Sequence, residues 1–185
     1  MFERVCYNPC MQYFVGYLVE GEASNYYKTL TTELEQRFGV KNLSNFIPPH
    51  FTFRIPFETE KIEEFEQYVD QITSSIKSVG ISINGFDKLE GKRMTIFLSA
   101  ISESMDTLEG IIDSLEQYDE ANKAPKRPLI LHTSIARFLS PEQCEEIWNY
   151  LQTLPAPQFN LKFDNLTIFK LVDDIWEVHK IFRFK

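Results

Sequence analysis

The chain has 185 residues, 43% of them apolar and 14% aromatic, which suits one folded domain and excludes a disordered chain. Its 27 acidic against 19 basic residues leave a net charge of −8, which disfavours binding to long duplex nucleic acid, where many phosphates must be neutralised. No run approaches the roughly 18 apolar residues of a membrane span, and the first residues show no basic start followed by an apolar stretch, so neither a membrane segment nor a secretory signal is expected.

Periodicity and punctuation give the elements in chain order. Residues 11–19 read as a strand. Residues 23–38 place Tyr26, Tyr27, Leu30, Leu34 and Phe38 at helical spacing, and Gly39 follows as a stop. A loop over 40–49 ends in Pro48 and Pro49, and 50–56 alternates as a strand. Residues 59–78 form a helix with Ile62, Phe65, Val69, Ile72 and Ile76 on one face. Strands at 80–89 and 92–99 are joined by a turn at Glu90 and Gly91. Residues 104–118 form a helix with Met105, Leu108, Ile112 and Leu115 inward. A polar segment with Pro125 and Pro128 precedes a strand at 129–136. Ser140, Pro141 and Gln143 make an N-cap, a first helical position and a capping-box partner for a helix that buries Ile147, Trp148, Leu151 and Leu154. Two aromatic-rich strands, 158–171 and 174–184, close the chain. The pattern predicts an α+β protein with mixed or antiparallel sheets flanked by helices.

A shift of 82 residues lays residues 62–69 on 144–151, with three of eight identical and the apolar positions coincident. The same shift puts His50 on His132 and Thr52 on Ser134. Both halves then read strand, helix, histidine strand, helix, strand. This predicts a pseudo-two-fold duplication, with repeats of about 11–89 and 93–171 and a final strand at 174–184, folded as one bilobal domain over 1–185 with a central cleft.

The chain has three histidines, and two of them carry a hydroxyl two residues on. On a strand, positions i and i+2 point to the same face, about 7 Å apart. The His50 imidazole and the Thr52 hydroxyl therefore share a face, as do those of His132 and Ser134. Strands side by side about a pseudo-dyad would bring the four groups to one spot. Two imidazoles can divide proton transfer at a phosphodiester, one taking a proton and the other giving one. The hydroxyls can donate to the non-bridging oxygens, where charge develops. No metal or other cofactor is required.

These motifs, Pro49-His50-Phe51-Thr52-Phe53 and Leu131-His132-Thr133-Ser134-Ile135, are similar to those of the 2H phosphoesterases, which include 2'-5' RNA ligase-like proteins and cyclic nucleotide phosphodiesterases. The second motif continues Ala136-Arg137, where members often carry Arg, and the strand Trp176-Glu177-Val178-His179 resembles a family C-terminus. The resemblance in element order spans nearly the whole chain. It implies His50 and His132 as the catalytic pair, with Thr52, Ser134 and Arg137 on the phosphate. It implies an enzyme that opens 2',3'-cyclic phosphates or cleaves 2'-5' bonds in RNA ends or small nucleotides. Ser134 stands where Thr is commoner, and it lacks the methyl that restricts a threonine rotamer.

Other residues have plainer readings. Strict alternation points Arg137 away from His132 unless a bulge intervenes, and Arg54 shares parity with His50. His179 reads as structural, and Tyr13, Phe14 and Tyr17 as core, with one of them available to stack a base. Lys123, Lys126 and Arg127 could steer an anion towards the cleft. The acidic face Glu58, Glu60, Glu63, Glu64 and Glu66 reads as solvation. Cys6, Cys10 and Cys144 are an odd set without a C-x-x-C pair, so reduced thiols, a cytoplasmic location and no metal site are expected. A monomer suffices. Two rival functions remain: RNA ligation, the reverse chemistry, and a nucleotide- or RNA-end-binding module without turnover.

Overall fold

Gly39 takes φ 64° and donates its N–H to the Glu35 carbonyl, closing helix α1 (Gly21–Phe38) in the left-handed conformation that glycine allows. The computed structural model that shows this describes residues 11–91, 94–118 and 129–184. The other elements are β1 (Met11–Leu18), β2 (His50–Thr59), α2 (Ile62–Ser75), β3 (Val79–Leu89), β4 (Met94–Ile101), α3 (Met105–Gln117), β5 (His132–Leu139), α4 (Pro141–Leu151), β6 (Gln158–Phe163), β7 (Asn165–Val172) and β8 (Ile175–Arg183). The capping box at Ser140 forms in full, with Gln143 as its partner. Cys6, Cys10, Lys123, Lys126, Arg127, Pro125 and Pro128 lie outside the described residues.

The fold is α+β. Two four-stranded antiparallel sheets have the orders β2-β1-β7-β8 and β5-β4-β3-β6. In each, a histidine strand lies on the edge beside the first strand of its own half. Two strands cross over between the halves: β3, after α2, joins β4, and β7 joins β1, while β6, directly after α4, stays in the second sheet beside β3. Each sheet therefore contains strands from both halves.

One face of each sheet packs on helices. There Tyr13, Val15, Tyr17, Phe51, Phe53, Ile96, Leu98 and Ile135 join Leu34 of α1, Phe65 of α2, Leu108 of α3 and Ile147 of α4 in a continuous core. In α3, Leu108, Ile111 and Leu115 are buried, so Ile111 takes the place expected for Ile112. In α4, Ile147 and Leu151 are buried and Trp148 is half-buried, while Leu154, also half-buried, lies beyond the end of the helix.

Several boundaries differ from expectation, among them the strand expected over 129–136, which runs His132–Leu139. Strand β2 runs on to Thr59, and α2 ends at Ser75 because Ile76 is extended (φ −85°, ψ 131°). The strand expected over 158–171 breaks at Asp164, and its two pieces belong to different sheets. Asn165 makes that change possible. Its buried Oδ1 accepts the Leu18 N–H at 3.1 Å and its Nδ2 donates to the Leu18 carbonyl at 3.4 Å, anchoring the start of β7 to the end of β1.

Candidate active site

The register fixes which side chains share the face opposite the core. His50 lies across from Leu18 and Thr52 from Gly16. His132 lies across from Ser99 and Ser134 from Phe97. Residues directly opposite in a ladder share a face. Each histidine strand then slips by one residue. On β2, Gly16 pairs with Thr52 but Val15 with Arg54, leaving Phe53 extra. On β5, Phe97 pairs with Ser134 but Ile96 with Ala136, leaving Ile135 extra. An extra residue reverses the alternation beyond it.

The two reversals have opposite consequences for the two arginines. Arg137 falls across from Thr95, which is two residues from Phe97, so it joins the face of His132 and Ser134. Arg54 is turned away from the histidine face and is buried. Its Nη1 donates to the Leu115 carbonyl at 2.7 Å, and its guanidinium lies 4.3 Å from the Phe57 ring centre. A cation there satisfies a carbonyl of the last turn of α3.

Both imidazoles are held in the same way. His50 Nδ1 is 2.8 Å from the Pro48 carbonyl, and His132 Nδ1 is 2.8 Å from the Ile130 carbonyl. A carbonyl only accepts, so Nδ1 carries the proton and Nε2 is left to exchange one with a ligand. A phenylalanine from the neighbouring strand backs each ring: Phe14 at 4.8 Å from His50 and Phe97 at 5.1 Å from His132, centre to centre. Phe169 stacks flat on Phe14 and stands 5.5 Å from His50. Thr133 Oγ1 donates to the His50 carbonyl at 2.9 Å, tying one histidine strand to the other.

The His50 imidazole is depressed to about 4. Desolvation is the largest cause. The Pro48 hydrogen bond opposes it, and the positive charges of His132 and Arg137 add to it. The side chain keeps part of its surface open, so the dry surroundings come from the packed rings of Phe14 and Phe169 rather than from full enclosure.

Three contributors were not legible as such. Phe14 is buried but lies on the histidine face, whereas Tyr13 and Tyr17 are core. Its parity within β1, opposite to that of the core residues, is the signal. Gly16 leaves room that a side chain would fill: a Cβ there would stand 2.8 Å from the Phe51 carbonyl and 3.4 Å from Phe14 and Phe169. Thr133 carried no signal, since the middle residue of the motif is expected to point into the core. His179 sits elsewhere: its Nε2 meets Glu66 Oε1 at 2.7 Å, and Lys180 Nζ meets the other oxygen at 2.6 Å.

The family model of the 2'-5' RNA ligase superfamily matches residues 23–174. The chain belongs to that superfamily. No curated protein matches the sequence. Among solved structures, TT0787 of Thermus thermophilus is 16% identical with a TM-score of 0.65, covering 94% of this chain and 98% of that one. Escherichia coli LigT complexed with 3'-AMP is 13% identical at TM-score 0.58, covering 95% and 99%. Kluyveromyces marxianus Usb1 with uridine monophosphate is 12% identical at TM-score 0.50, covering 94% and 98%. These likenesses establish that this superfamily member shares their fold. Among its described residues no helix is long and apolar enough to cross a membrane.

Proposed function

We propose that this 2'-5' RNA ligase superfamily member is a metal-independent phosphodiesterase acting on a small nucleotide or an RNA end. The observation that carries the reading is the matched pinning of two imidazoles, each offering Nε2 beside a hydroxyl two residues on. In bond cleavage, one Nε2 takes the proton of the attacking oxygen and the other gives a proton to the leaving oxygen. Thr52 and Ser134 donate to the non-bridging oxygens, and the Arg137 charge offsets theirs. Where a neighbouring ribose hydroxyl attacks, the product is a cyclic phosphate. Opening that ring with water runs the proton transfers in the reverse sense through the same two histidines, and ligation is the reverse of cleavage. The nucleotides bound to LigT and Usb1 support a nucleotide substrate. The buried free thiol of Cys144 fits a reducing, cytoplasmic setting.

The test is turnover of 2',3'-cyclic nucleotides and 2'-5'-linked dinucleotides in EDTA across pH 3 to 9, with His50→Ala and His132→Ala beside the native protein. Turnover that survives EDTA and falls by about a hundredfold or more in each variant is expected. Full activity in either variant would overturn the two-histidine mechanism.

A further inference from the structure

A cavity of about 640 Å³ lies between the start of α1, the 44–49 loop and the first residues of β8. Neither histidine lines it, but two residues of its wall, Pro48 and Trp176, lead to His50. Pro48, in its wall, supplies the carbonyl that holds the imidazole. Trp176, also in its wall, meets Phe14 at 4.8 Å and 82°, and Phe14 backs the His50 ring. The Trp176 backbone N–H donates to the Phe46 carbonyl at 2.7 Å, which fastens the 44–49 loop to β8 and fixes the walls relative to each other.

The lining has a definite chemistry. Trp176, Val178 and Pro48 provide apolar surface, while Asn25 and Asn45 bring amide groups to it. Its charges are Lys28 against Glu20 and Glu177, so it is not an anion site. An uncharged planar ligand with polar edges fits that combination. The two walls of the histidine cleft agree. On the first sheet, Phe14, Phe169, Trp176 and Val178 share the histidine face. On the second, the corresponding outer strands present no aromatic residue there but Ser82, Asp87, Leu89, Asn160 and Lys162.

We propose that this cavity is a nucleobase subsite, with the Trp176 indole as the stacking surface, so that the nucleoside lies on the His50 flank of the cleft. The subsite rests on the phosphodiesterase reading for its substrate and adds the handedness of binding, which a pseudo-symmetric motif pair leaves open. A ribose oxygen of that nucleoside then faces His50, and the departing or attacking group opposite faces His132.

The experiment compares two substrates on the full chain: adenosine 2',3'-cyclic phosphate and 1-O-methylribose 2,3-cyclic phosphate, which lacks a base. The readout is the ratio of their kcat/KM values, which a general loss of activity does not move. The native protein should favour the nucleoside by about tenfold or more. Trp176→Ala should bring the ratio near one, and Trp176→Phe should restore most of it. Val178→Trp, which fills the cavity but keeps the indole, should also bring it near one. A native ratio near one, or a ratio untouched by both Trp176→Ala and Val178→Trp, overturns the subsite. If the native protein turns over neither substrate and no 2'-5'-linked dinucleotide either, the phosphodiesterase reading fails by itself. Titration with 3'-AMP against inorganic phosphate then tests the subsite alone. At least tenfold tighter binding of 3'-AMP, lost in Trp176→Ala and kept in Trp176→Phe, supports it; equal margins in the native and Ala proteins overturn it.

Discussion

His50 should remain neutral far below the ordinary histidine range, and Phe14→Ala should undo that. The depression from 6.5 to about 4 corresponds to about 3 kcal/mol against the imidazolium in the folded protein. At pH 5 a group titrating at 4 is about 90% neutral, whereas one at 6.5 is about 3% neutral, roughly a thirtyfold difference in the base form. In the reaction direction where His50 takes the proton, the acid limb of kcat/KM reports its titration. Removing the Phe14 ring exposes the imidazole to water, so its titration should move up towards 6.5. The assay is the titration of the three histidines by two-dimensional NMR, run beside the kcat/KM profile. The linked stability has a definite sign. The folded state resists the proton and the unfolded state takes it near 6.5, so this contribution is complete above about pH 6.5 and is lost as pH falls towards 4. Urea unfolding of the native protein should therefore weaken over that window by up to about 3 kcal/mol from this group, and by less in Phe14→Ala. An ordinary His50 titration near 6.5 in the native protein, or one that Phe14→Ala leaves in place, would refute the desolvation argument.

Three further outcomes are expected. Gly16→Ala forces its methyl against the Phe51 carbonyl and the two rings beside His50; thermal melts should show a loss of about 1–3 kcal/mol, with a shifted His50 resonance. Arg54→Met leaves the Leu115 carbonyl without its donor and should cost about 1–3 kcal/mol in urea unfolding, while kcat/KM of the folded fraction stays near native. Arg137→Ala should do the reverse: a melting temperature close to native, since the side chain is exposed, and a kcat/KM on phosphodiesters reduced by about tenfold or more.

The contrast between the two arginines shows where sequence reasoning stops. Helices α1 to α4 and the histidine strands were legible because apolar spacing, Gly39 and the Ser140 capping box are local signals. The His-x-Thr and His-x-Ser pairs were legible because two residues on one strand share a face whatever the rest of the fold does. Beyond those pairs the alternation failed. Arg54 kept the right parity on paper but went to the core, and Arg137 had the wrong parity but joined the histidine face. A register slip depends on the neighbouring strand, here β1 and β4, and leaves no mark on the slipping strand itself. The break at Asp164 was hidden for a similar reason. Apolar residues continue on both sides of it, and only the Asn165 clamp on Leu18 reveals that the chain changes sheets.

The sequence by itself determined the α+β class, the order of elements and the two imidazole–hydroxyl pairs, because each follows from contacts within a few residues. Tertiary structure decided the rest. Pairing between strands far apart in the chain chose which arginine meets the histidines, set Phe14, Phe169 and Trp176 on their face, and crossed β3 and β7 between the halves. It also made the two histidines unequal. The dry aromatic setting that depresses His50 is assembled from β1, β2 and β7, and no single stretch of the chain contains it.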